Sequence, residues 1–149
     1  MPDRVPGPAR ALGFAGLLPQ GAAVLGAMGG PDWRYGALAF AFAYAALIFS
    51  FLGGLWWGLA AAAGQRAPGW LWGAAVAPSL LALACCWPWL VGARWPGPSL
   101  IVLGLSILVS PLVDLRLTRR GLAPAWWPRL RLPLSAGLGV LTLVAGLLA

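Results

Sequence analysis

The residues that could carry chemistry in this chain are few. The sequence has no lysine, glutamate or histidine, and its charged side chains are ten arginines and three aspartates. Acid–base catalysis and metal binding near neutral pH depend largely on histidine and on carboxylates. We therefore predict no catalytic residue, no metal site and no cofactor, and an enzyme is the least favoured class of function.

Asp114 is the one acid that falls at the end of an apolar run. A carboxylate in that position is costly unless it is paired, so we expect a salt bridge with Arg129 or Arg131. A substrate or lipid-headgroup site is the alternative. The arginines around it are predicted to face anionic headgroups. They are Arg116, Arg119, Arg120, Arg129 and Arg131.

Small residues recur every four positions in the second apolar run, at Ser50, Gly54 and Gly58. This spacing places them on one face of a helix, where a neighbouring backbone can approach closely. We expect this face to serve internal helix packing. A contact between copies of the chain, or the close approach of a ligand, is the alternative.

Aromatic residues in the same run suggest a second kind of site. Tyr44, Trp56 and Trp57 are ligand-binding candidates together with Asp114, because aromatic walls suit planar ligands. A role in the aromatic belt at the membrane boundary is the favoured alternative, since tryptophan is common there.

The composition indicates a membrane protein. Hydrophobic residues make up 61% of the chain and charged residues 9%, and the mean hydropathy is +0.86. About 20 apolar residues suffice for a helix to cross the bilayer, and the charges divide the chain into five such runs. We predict an all-α, polytopic membrane helix bundle that forms a single transmembrane domain over residues 1–149. Its five helices are expected at about 11–29, 36–61, 70–88, 98–115 and 132–148.

The arginines also predict an orientation. With five crossings, eight arginines fall on the side of the N-terminus, and Arg34 and Arg94 fall on the other. Arginine accumulates in cytoplasmic loops, so the N-terminus should be cytoplasmic and the C-terminus external. A signal peptide beginning in residues 1–10 is a weaker alternative for the first run. Nucleic acid is not expected as a partner, because the basic residues lie in short linkers between apolar runs.

Polar residues and prolines inside the crossings suggest local irregularity. We expect Pro19, Pro78 and Pro111 to kink the first, third and fourth helices. The hydroxyls within the crossings can bond back to their own helices. Cys85 and Cys86 are adjacent in an apolar segment, so we interpret them as packing residues.

Three segments resemble a known family. They are YAALIFSFLGGLWWGLA at 44–60, WGAAVAPSLL at 72–81 and RLRLPLS at 129–135. The chain resembles the domain of unknown function 3429 family, which includes the mitochondrial transmembrane protein 69 group. The resemblance implies a small multi-pass protein of bacterial inner membranes and mitochondria, without an activity. Relatives often have a histidine where this chain has Trp56, so an ionisable role at that position is not carried over.

Two functions are compatible with these features. The first is a non-enzymatic accessory or assembly partner of a membrane complex, or a homo-oligomer, with the lipid bilayer as its surroundings. The second is a binder or transporter of a hydrophobic or planar ligand, such as a tetrapyrrole, quinone, carotenoid or lipid. The missing acid–base chemistry favours the first.

Overall fold

Eight α-helices occur in the part of the chain that the computed structural model describes, residues 4–149. They are α1 (Gly7–Ala15), α2 (Leu18–Met28), α3 (Pro31–Ala63), α4 (Gly69–Ala84), α5 (Trp87–Leu90), α6 (Gly97–Val109), α7 (Pro111–Arg119) and α8 (Trp127–Leu147). They combine into five spans long and apolar enough to cross a membrane: Gly7–Met28, Pro31–Arg66, Gly69–Leu90, Gly97–Arg119 and Trp127–Leu147. The described residues contain no strand, so the predicted all-α bundle of five spans is confirmed.

Several spans extend further than the sequence predicted. The second begins at Pro31 rather than at about 36, the fourth continues to Arg119, and the fifth begins at Trp127 rather than at about 132. The predicted bounds were based on the uncharged runs, with the longer runs trimmed at Pro or Gly near their ends. Arginine favours the helix and can extend its charged end toward the headgroups, so these helices continue past the apolar core.

Two of the three prolines that were predicted to kink a span coincide with a break. The first span breaks just before Pro19, and the fourth breaks at Pro111. Pro78 remains inside α4, and the third span breaks later, beside Pro88. Because proline lacks an N–H group, each break releases a backbone carbonyl that needs another partner.

Glycines allow α6 and α8 to pack closely. A Cβ atom at Gly104 would lie 2.8 Å from Leu143 Cγ, and one at Gly139 would lie 2.6 Å from Leu108 Cγ. Neither position has room for a larger side chain. Helices in lipid associate through such close van der Waals contact, because burial of apolar surface adds little there.

The spans alternate in direction, and contacts near the helix ends identify the two ends of the bundle. Arg120, after α7, lies over the ring of Trp70 at the start of α4, with 5.9 Å to the ring centroid. At the opposite end Tyr35 and Trp95 meet edge to face. The first of these ends holds eight of the ten arginines and is called here the arginine-rich end.

Large apolar side chains point outward over much of the bundle. Leu47, Leu80, Leu105 and Val140, on four different helices, are all exposed. A soluble monomer rarely exposes so much apolar surface, whereas a bilayer solvates it. The protein is therefore a multi-pass membrane helix bundle whose surroundings are lipid.

Candidate functional site

Asp114 lies in the first turn of α7, directly after the break in the fourth span. Pro111 cannot donate to the carbonyl of Ile107, four residues earlier, and the hydroxyl of Ser110 donates to that carbonyl instead, at 2.7 Å. The proline therefore ends α6 without leaving a buried acceptor unpaired. The new helix that it starts directs Asp114 into the bundle, where its exposure is 1%.

Three N–H groups surround the Asp114 carboxylate. The indole Nε1 atoms of Trp56 and Trp127 both donate to Oδ1, each at 2.9 Å. The guanidinium Nε of Arg131 donates to Oδ2 at 3.2 Å and forms the ion pair. These partners come from α3 and α8, so one carboxylate connects three spans at the arginine-rich end. The four residues are called here the Asp114 node.

Arg131 extends this network toward a neighbouring polar pair. Its Nη2 atom donates to the hydroxyl of Ser135, one turn along α8, at 3.2 Å. The Ser135 and Ser110 hydroxyl oxygens are 3.5 Å apart, which is long for a hydrogen bond between hydroxyls. The salt bridge expected for Asp114 is thus formed, and Arg131 is its partner.

An apolar cleft adjoins the Asp114 node. Its volume is about 370 Å³, and its walls are formed mainly by α1, α3 and α8. Apolar side chains such as Leu12, Ile48 and Leu134 line most of it. Its polar wall contains Arg131 and Ser135, with Trp127 beside them. The cleft therefore combines a long apolar wall with a charged group at one end, as small-molecule sites commonly do.

The four predicted ligand residues are not brought into one pocket. Trp56 is buried and bonded to Asp114, whereas its neighbour Trp57 is half exposed and meets Trp72 edge to face, with 4.8 Å between ring centroids. Tyr44 lies about three turns from Trp56 along α3 and donates to the carbonyl of Gly16. Tyr44 and Trp56 are therefore held in separate contacts along α3.

The small-residue face of α3 also differs from the prediction. Gly54 and Gly58 are exposed, and nothing would lie within 4 Å of a Cβ atom at either. Gly53 is the closely packed glycine, because a Cβ there would overlap the carbonyl oxygen of Ala75 on α4. Packing within the chain uses the face of Gly53, and Ser50, Gly54 and Gly58 belong to another face.

The five arginines predicted to meet headgroups divide into two groups. Arg116, Arg119, Arg120 and Arg129 are exposed at the arginine-rich end. The side chain of Arg131 is only 13% exposed because it turns inward to Asp114. Its charge belongs to the node and the cleft wall.

One polar group was missed by the sequence reasoning. Gln20, fully buried on α2, donates from Nε2 to the carbonyl of Ala41 at 3.2 Å and to the hydroxyl of Thr142 at 2.9 Å. Thr142 in turn donates to Leu138. The Gln20 Oε1 atom has no hydrogen-bond partner among the described residues. These residues are called here the Gln20 node. A lone glutamine beside a proline break was the only signal for it.

The described residues hold no group of three histidine, cysteine or acidic side chains that could bind a metal ion. Comparison with known proteins gives a family without an assigned activity. No curated protein and no solved structure matches the chain. Residues 5–148 match the sequence model of the family described as "Protein of unknown function (DUF3429)". Since this match covers nearly the whole chain, the protein belongs to the DUF3429 family.

Proposed function

We propose that the protein binds a lipid-like ligand by enclosing one hydrocarbon chain in the apolar cleft. The observation that carries this proposal is the shape of the cleft. Its lining on α8 runs from Trp127 to Leu138, a rise of roughly 16 Å at about 1.5 Å per residue. That is about half of the 30 Å hydrocarbon core. The cleft would therefore draw its ligand from one leaflet.

The size of the cleft favours a chain over a large planar ligand. A volume of about 370 Å³ is near the lower end of the roughly 300–1,000 Å³ that ligand pockets span. A single hydrocarbon chain needs less space than a tetrapyrrole does. Of the ligands considered from the sequence, those with a narrow tail fit this space best.

The driving force for such binding differs from that of a soluble lipid carrier. A chain that enters from the bilayer leaves one apolar environment for another, so burial of apolar surface adds little free energy. Selectivity must come from packing against the walls and from the polar groups at the end of the cleft. A test should therefore alter the shape of the wall without altering its hydrophobicity.

A matched pair of neighbouring residues on α3 allows that test. Ile48 lines the cleft, whereas Leu47 is 68% exposed on the outside of the bundle. We expect lipid analysis of protein purified in mild detergent to find a bound single-chain or tailed lipid in wild type and in Leu47→Trp. Ile48→Trp should lose it, because the indole occupies the cleft.

Two results would refute the proposal. One is that wild-type protein retains no lipid above a detergent-matched control membrane protein. The other is that Ile48→Trp retains the same lipid in the same amount as Leu47→Trp. Thermal unfolding of the three proteins checks that the substitutions leave the fold intact.

A second proposal is that the protein acts as an assembly partner or homo-oligomer through the face that contains Gly54 and Gly58. The support is that these glycines lie on the lipid-facing side, with open space next to them. Gly54→Leu should then shift the protein to smaller complexes on native gels, whereas Gly73→Leu, at an equally open position on α4, should not. Equal migration of both variants and wild type would oppose the proposal.

The distribution of arginines supports a bacterial inner-membrane topology in which the arginine-rich end is cytoplasmic. A periplasm-dependent reporter enzyme fused after Ala149 should be active, and the same enzyme fused after Arg66 should be inactive. The opposite pattern would reverse the topology.

A further inference from the structure

Hydrogen-bond donors exceed acceptors at the polar end of the cleft. Arg131 donates from Nε to Asp114 and from Nη2 to Ser135. Its Nη1 atom makes none of the hydrogen bonds found between described residues. Arg131 is among the residues that line the cleft, so Nη1 is the nitrogen that it can offer to a ligand there.

Ser135 contributes a second donor. Its oxygen accepts from Arg131, and its own proton has only the 3.5 Å contact to Ser110. The Ser110 hydroxyl is already engaged with Ile107 at 2.7 Å. Ser135 is 2% exposed and lines the cleft. A buried hydroxyl without a short acceptor is costly, so the site lacks an acceptor at this position.

The charge at this end of the bundle is mainly positive, which favours an anionic ligand. Asp114 is the only carboxylate side chain at the arginine-rich end among residues 4–149, and its two oxygens already receive three N–H donors. Arg10 follows Ala9, which lines the cleft. The local excess of positive charge attracts an anion from the bilayer or its surface.

We infer, on the basis of the proposed function, that the ligand is a single-chain lipid whose head group is a carboxylate or phosphate held by Arg131 and Ser135. The anion's oxygens accept from Arg131 Nη1 and from the Ser135 hydroxyl, while the chain extends along α8 toward Leu138. A carboxylate or phosphate fits a guanidinium better than a neutral hydroxyl does, because the hydrogen bonds are charge-assisted. An ammonium head group would bring further donors to a site that lacks acceptors.

Ligands that share one chain test the head group separately from the chain. Oleate and 1-oleoyl lysophosphatidic acid carry the anions, and oleyl alcohol carries a neutral hydroxyl on the same chain. We expect delipidated wild-type protein in detergent, at a pH that ionises oleate, to bind one or both anions at least tenfold more tightly than oleyl alcohol.

The matched variant removes both charges of the ion pair together. Arg131→Gln with Asp114→Asn leaves neither charge buried alone, so the fold can be retained. In this double variant the preference for anions should disappear, while oleyl alcohol binds as it does to wild type. Ser135→Ala should reduce the preference by a smaller factor, with no change for the alcohol.

The experiment distinguishes an error in the head group from an error in chain binding. If oleate, lysophosphatidic acid and oleyl alcohol bind equally and Ile48→Trp blocks all three, the anionic head group is wrong and chain binding stands. If the double variant folds and keeps the preference for anions, Arg131 is not the recognition residue and the inference is overturned. If none of the three ligands binds delipidated protein, both proposals are overturned.

Discussion

The Asp114 node and the Gln20 node both connect spans of the bundle, but they differ in how many of their central polar atoms have hydrogen-bond partners. At the arginine-rich end, both oxygens of the buried carboxylate have donors, and an ion pair is among them. In the Gln20 node, Nε2 has two acceptors but Oε1 has no donor. Each node joins three spans, so the difference lies in the chemistry of the central group.

The difference between the two nodes reflects the high cost of burying an unpaired charge in a low-dielectric interior. A buried ion without its partner costs several kcal/mol, whereas an unpaired neutral amide oxygen costs about 1–3 kcal/mol. The bundle can therefore leave the Gln20 amide oxygen unpaired, whereas the buried Asp114 carboxylate requires a counter-ion. The two nodes should therefore differ in their contribution to stability as they do in geometry.

The largest effect is expected from Arg131→Leu. The substitution leaves the Asp114 carboxylate buried without a cation, and breaking such a pair by removing one partner costs about 3–5 kcal/mol. Thermal or denaturant unfolding in detergent should show this loss. Arg119→Leu, at the exposed C-terminal residue of α7, serves as a control for the loss of one charge. Equal stability of the two variants would show that the ion pair is not a major contribution.

A smaller loss is expected from Trp56→Phe. The phenyl ring retains most of the apolar contact but removes one of the two indole donors to Oδ1, and a hydrogen bond to a charged group contributes about 2 kcal/mol. Trp57→Phe is the control, because the adjacent Trp57 is half exposed and contacts Trp72 instead. Unfolding of both variants should give the larger loss at Trp56. A larger loss at Trp57 would contradict the importance of the Trp56 hydrogen bond.

The smallest effect is expected from Gln20→Leu. The variant loses two hydrogen bonds, which average about 0.6 kcal/mol each between membrane helices, but it also removes the unpaired Oε1. Thr142 keeps its bond to Leu138. Stability should stay within about 1 kcal/mol of wild type in the same unfolding assay. A loss as large as that of Arg131→Leu would mean that the two nodes do not differ in energy.

The five spans could be predicted from the sequence because chain length, hydropathy and charge determine them directly. The ion pair of Asp114 with Arg131 was also within reach, since a carboxylate in that setting requires a cation and only nearby arginines were available. The backward hydrogen bonds of Ser110 and Thr142 follow in the same way from local chemistry.

Contacts that depend on helix rotation could not be predicted. Trp56 and Trp57 are neighbours of one residue type, and only the packing of α3 decides that Trp56 meets Asp114, 58 positions away. The same rotation makes Gly53, and not Gly54, the point of contact with α4. The hydrophobicity of α3 is spread around its whole circumference, so the sequence gives little indication of its buried face.

The residues of the Asp114 node are synthesised in an order that affects how the chain enters the membrane. Synthesis proceeds from the N-terminus, so Trp56 is already present when Asp114 is added, but Trp127 and Arg131 follow 13 and 17 residues later. The fourth span therefore leaves the ribosome ahead of the residue that carries its counter-ion. An aspartate at the centre of an inserting helix costs roughly 3 kcal/mol, and Asp114 avoids much of that cost by lying near the end of its span. Insertion of the fifth span then brings the cation and completes the charge balance of the fourth.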